Sequence, residues 1–101
     1  MGAHRWPRVI SADSRPRLAE KARLRFDRKG QQYLLLFPER GLALNPTAAE
    51  ILKLCTGEHT VGAIVECLLQ TFDGQPRDVV EREVVAFLAS MADRGLVKAG
   101  R

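Results

Sequence analysis

The side chains able to do chemistry are few in this 101-residue chain, and their spacing serves no reaction. Cys55 and Cys67 lie twelve residues apart. They form no CxxC and have no histidine set beside them, which argues against a zinc or redox site. The two histidines are His4, near the N-terminus, and His59, in an expected turn, where a lone histidine is usually a surface residue. Asp78, Glu81 and Glu83 are interleaved with Arg77 and Arg82. Solvated i,i+3 and i,i+4 pairs account for these carboxylates without an acid–base dyad. Asp73, Asp78 and Glu66 lack the spacing of a metal loop. The chain carries no GxGxxG, no GxxxxGK and no HExxH. These observations point away from an enzyme and call for no metal or other cofactor. They leave binding as the function to look for.

Length and composition agree. A chain of this size suits one domain, and 46% apolar residues suffice for a core without disulfides. Cys55 continues an apolar helical face and reads as a buried thiol. The N-terminus has no signal-like apolar run, and no stretch approaches the ~18 apolar residues of a membrane span. A cytoplasmic protein without membrane contact is expected. The net charge is +4, unevenly placed. Residues 1–29 hold nine basic and three acidic side chains, and residues 30–101 hold seven basic and nine acidic ones.

The elements follow from periodicity. Residues 1–15, rich in Arg, Ser and Pro, are expected to form a flexible basic arm, and residues 16–98 the folded domain. Ala22, Leu24 and Phe26 alternate with Arg23, Arg25 and Asp27 in a half-solvated strand. After the turn "DRKGQ", the run Tyr33 to Phe37 is apolar on both faces, as in a central strand. "PERG" turns again into a third strand, Leu42 to Leu44. Short turns imply an antiparallel meander in the order 1-2-3. Asn45-Pro46 then caps and opens a helix with the stripe Ala48, Ile51, Leu52 and Cys55. A second helix from about Thr60 carries Val61, Ile64, Val65 and Leu68. A third, from Pro76, carries Val80, Val84, Phe87, Leu88 and Met91, and "LVK" follows as a short extended tail. The expected fold class is α+β, a three-stranded antiparallel sheet followed by three helices, with the first two helices resembling a helix-turn-helix.

Two binding readings are open. A helix-turn-helix with a basic arm suggests nucleic acid. The helices oppose this, because the third has three Arg against four carboxylates and the second carries Glu66 with no base. The other reading starts at the sheet. The first strand's outer edge carries Arg23 and Arg25, which discourage pairing. The third strand, "GLAL", has no charge. Such an edge is either covered by the protein itself or offered to an extended peptide, and the residue pattern alone leaves both open.

An ordered set of segments carries a family resemblance. "RPRL" from Arg15, "FPERGLALNPTAAEILKLCTG" from Phe37, and "FLASMADRGLV" from Phe87 fall in sequence. Together they resemble the pyrroloquinoline quinone biosynthesis protein D family, from about Arg15 to Val97. The resemblance implies a winged helix-turn-helix recognition element for ribosomally made, modified peptides. It implies a peptide chaperone that binds the precursor peptide of pyrroloquinoline quinone. The chaperone would present that peptide to a radical S-adenosylmethionine enzyme, which crosslinks a Glu and a Tyr of it. The leader would lie as an added strand on the third strand, in a groove bounded by the third helix.

Carried onto this chain, the implied peptide site comprises Gly41, Leu42, Ala43, Leu44 and Asn45. From the third helix it takes Val79, Arg82, Glu83, Ala86, Phe87 and Ser90. Phe87 is read either as core or as groove. The central strand leaves a second question, because its two apolar faces cannot both be covered by one helical layer. An apolar patch of that size marks an interface. A homodimer, strand exchange at "DRKGQ", and cover by the arm with Trp6 are the alternatives.

Overall fold

The computed structural model describes residues 10–100. His4 and Trp6, and with them the arm's expected cover of the sheet, lie outside these residues. Five strands and three helices occur in the order β1 (Arg15–Leu18), β2 (Arg23–Asp27), β3 (Gln32–Phe37), β4 (Arg40–Leu44), α1 (Pro46–Lys53), α2 (Val61–Thr71), α3 (Arg77–Asp93) and β5 (Val97–Gly100). The α+β architecture, with an antiparallel β2-β3-β4 meander followed by three helices, is the one the periodicity indicates.

Local chemistry fixes the turns of the meander. Between β2 and β3, the Asp27 carboxylate accepts from the Lys29 and Gly30 amides at 3.3 and 3.1 Å. Gln31 then takes a left-handed conformation, φ 54°. Between β3 and β4 the loop is only Pro38-Glu39. Proline suits the first central position of such a turn, and Glu39 at φ 66° takes the second.

The helix starts are equally local. The Asn45 side chain accepts from the Ala48 amide at 2.8 Å, and Pro46 opens α1. The Thr60 hydroxyl accepts from the Ala63 amide at 3.1 Å at the start of α2. The helices bury one face against the sheet. Leu35 of β3, Ile64 of α2, and Val84 and Leu88 of α3 are each 0% exposed.

One pairing was absent from the periodicity. β1 and β5 form a separate two-stranded antiparallel sheet, with Leu18 opposite Val97 and Arg17 opposite Lys98. On its other side β1 meets the loop between α1 and α2. The Gly57 amide donates to the Pro16 carbonyl at 2.9 Å, and the Leu18 amide donates to the Cys55 carbonyl at 3.1 Å. Pro16 shares the parity of Leu18, so its missing N–H faces that loop and leaves the ladder with β5 intact. The extended tail expected at "LVK" is thus the entry to a paired strand that starts at Val97.

The segment just before β1 is packed as well, unlike the loose arm expected over residues 1–15. Ile10 is 6% exposed in the core, and the α2 amides of Val61 and Gly62 donate to the carbonyls of Ser14 and Ala12. The first turn of α2 has amides without intrahelical partners. Residues 12–14 supply acceptors for two of them.

Candidate functional site

Register decides which backbone groups of β4 are free. Phe37 and Arg40 pair directly across a two-residue turn, so they exchange both ladder hydrogen bonds. Bonded and non-bonded pairs alternate in an antiparallel ladder. Leu35–Leu42 and Tyr33–Leu44 are therefore bonded pairs, while Leu34–Ala43 and Leu36–Gly41 are not. Gly41 and Ala43 turn their N–H and C=O groups away from β3. Among the described residues β4 has β3 as its single strand neighbour. The free groups of Ala43 consequently form an open sheet edge.

A groove of about 510 Å³ runs along this edge. Leu42, Ala43, Leu44 and Asn45 form one wall. Thr47, Ala48 and Ile51 of α1 contribute the floor, and Glu83 and Phe87 of α3 the opposite wall. The floor is firm, since Ala48 and Ile51 are 7% and 1% exposed. Among the described residues Glu83 is the sole charged side chain of the lining, and no cysteine or histidine reaches the groove. Cys55 is buried, its thiol donates to the Ile51 carbonyl at 3.3 Å, and burial pushes it up to about 12. Cys67 is exposed on α2. Among the described residues no group of three His, Cys, Asp or Glu side chains is placed to hold a metal. The arrangement offers backbone hydrogen bonds beside an apolar floor. It suits an extended peptide.

Six of the eleven expected site residues, Leu42, Ala43, Leu44, Asn45, Glu83 and Phe87, meet in this groove. Gly41, Val79, Arg82, Ala86 and Ser90 fall outside its lining. The helical phase separates Glu83 and Phe87 from Arg82 and Ala86 on α3. Val80, Val84, Leu88 and Met91 are buried. At ~100° per residue, Glu83 and Phe87 lie about 100° and 60° from the centre of that stripe. Arg82 and Ala86 lie about 160° from it and face solvent. Arg82 stands 4.0 Å from Asp78 in an exposed pair, as the i,i+4 spacing suggests. Phe87 is half-buried and belongs to both groove and core, which resolves its double reading. Thr47, Ala48 and Ile51 are lining residues that the sequence reading missed. The signal for them is the tight Asn45-Pro46 junction, which leaves no loop between β4 and α1.

Comparison with known proteins adds an independent finding. The family model for coenzyme PQQ synthesis protein D (PqqD) matches residues 32–97. The chain is 41% identical over 92 residues to a PqqA binding protein of Rhodopseudomonas palustris (strain TIE-1), covering 91% of this chain and 89% of that protein. It is 36% identical over 92 residues to the bifunctional coenzyme PQQ synthesis protein C/D of Methylorubrum extorquens, covering 91% of this chain and 24% of that longer protein. A solution NMR structure of the PqqD truncation of Methylobacterium extorquens PqqCD superposes with a TM-score of 0.74 at 35% identity. It covers 91% of this chain and 97% of that one, and represents a functional, stand-alone recognition element for ribosomally synthesized and post-translationally modified peptides. With a family match that runs from β3 through β4, the three helices and the groove between them, this chain belongs to the PqqD family.

Proposed function

We propose that this protein binds the precursor peptide of pyrroloquinoline quinone, the PqqA peptide, as an added strand on β4. It holds that peptide against α3 and presents it to a radical S-adenosylmethionine enzyme, acting as a peptide chaperone and not as a catalyst. The observation that carries this reading is the open parity of Ala43 beside a firm apolar floor. Backbone pairing with an edge strand gives affinity, and pockets for alternate side chains give specificity. Relatives that share most of their length with this chain are named for PqqA binding, which supports the choice of ligand.

The reading is tested by titrating isotopically labelled protein with the synthetic precursor peptide and mapping amide shifts. Shifts centred on residues 41–47 and on Glu83 and Phe87 are expected. Shifts confined to the basic residues of β2 would contradict it. Duplex DNA at moderate salt serves as the comparison, because a nucleic-acid reading requires binding that falls steeply with salt.

The outer face of the sheet is the second part of the proposal. Leu34 and Leu36 are half-buried there beside exposed Arg23 and Arg25. We assign a homodimer contact to this face. Sedimentation equilibrium of the full chain with Leu34→Glu checks it, with loss of a dimer expected.

A further inference from the structure

A second cavity, of about 150 Å³, opens beside the end of the groove. Thr47 and Glu83 line both, so the two spaces share a wall at the start of α1. Beyond them Gln75 adds one amide to the lining of the smaller cavity, and the remaining walls are apolar. Leu68 and Phe72 of the α2 end and Val80 and Val84 of α3 line it. Leu68, Val80 and Val84 are 2%, 6% and 0% exposed, so its walls belong to the rigid core.

The geometry points to an anchor pocket for one bulky aliphatic or aromatic side chain of the bound peptide. This inference rests on the peptide-binding reading above and extends it to a site that determines specificity. At Asn45-Pro46 the protein's own chain turns away from the sheet into α1. A peptide strand that continues straight along β4 passes Asn45 and arrives over Thr47, at the mouth of the cavity. A cavity of about this size lined by aliphatic and aromatic groups holds a benzene-sized group. A charged side chain would lose its hydration there, and the neutral Gln75 amide supplies no opposite charge in return. Glu83 at the mouth further opposes an acidic one.

Val80 is suited to the test because it lines the cavity and not the groove. Val80→Phe fills the space from inside. Its melting curve should stay near native, and its affinity for the synthetic precursor peptide should fall at least about tenfold. Phe72→Trp, which intrudes from a half-buried position, serves as the second variant and should act in the same direction. An alanine scan of the peptide on native protein should find one apolar residue worth at least about tenfold. The same peptide change should cost less than about threefold on Val80→Phe, because the anchor is already lost. Native-like binding by a folded Val80→Phe or Phe72→Trp protein overturns the anchor pocket. So does a peptide scan with no apolar anchor, or additive losses in the cycle. Absence of any peptide binding by the native protein overturns the functional reading itself, and the pocket's role with it.

Discussion

Cys55 is 4% exposed, and its chemistry follows from that burial. A free thiol titrates at about 8.5, whereas desolvation pushes Cys55 up to about 12. The folded state therefore holds this proton more tightly than the unfolded chain. Its contribution to stability is fully present below about 8.5 and is lost as pH rises from there toward 12. The slope over that window is at most about 1.4 kcal/mol per pH unit. Denaturant unfolding of the native protein and Cys55→Ala, from about pH 8 to about pH 10.5, checks it. The native protein should lose stability more steeply with pH. Parallel slopes would reject the account. At the groove, Phe87→Ala should weaken peptide binding by at least about tenfold, since it removes the aromatic ring of the α3 wall. Ala86→Arg, one residue away and facing solvent, should change affinity less than about twofold. Calorimetric titration of both variants tests whether the helical phase assigned to α3 is right.

At the scale of elements, the caps and stripes were legible because they are local. Asn45-Pro46, the alternation in β2 and the apolar run in β3 each carry their signal within a few residues. β1 was hidden for a physical reason. Four residues with a proline give almost no periodicity, and their partner is the far end of the chain. The groove was half legible for a related reason. Ala48 and Ile51 fit a core stripe, and only the absence of a loop after β4 turns them into a groove floor. The turn between β3 and β4 offers a separate prediction. Glu39 holds φ 66°, a conformation that costs a non-glycine residue roughly 1 kcal/mol or more. Glycine removes that strain but adds freedom to the unfolded chain. Glu39→Gly should therefore stabilise by about 0.5 kcal/mol, read as a higher urea midpoint at unchanged m-value. A lower midpoint would mean that the Glu39 side chain contributes more than its backbone strain costs.

For the whole molecule, the two sheets divide the work. The β1–β5 pair ties the beginning and end of the described chain together and braces the loop between α1 and α2. Among the described residues the β2-β3-β4 sheet has β4 as a free edge, beside α3. The uncharged "GLAL" stretch left a covered and an open edge equally possible, and parity was out of reach of the sequence. A one-residue change in register would have reversed it, and only the two-residue Pro38-Glu39 turn fixes it. Ala43 is exposed, so replacing it removes little packing. Proline at an outward-facing edge position keeps the β3 ladder intact while removing one donor and blocking the approach of another strand. Paired measurement of the melting curve and precursor-peptide affinity of Ala43→Pro therefore tests strand addition most directly. The account predicts near-native melting and an affinity loss of at least tenfold, about 1.4 kcal/mol. A folded Ala43→Pro protein that binds the peptide at full strength would contradict it.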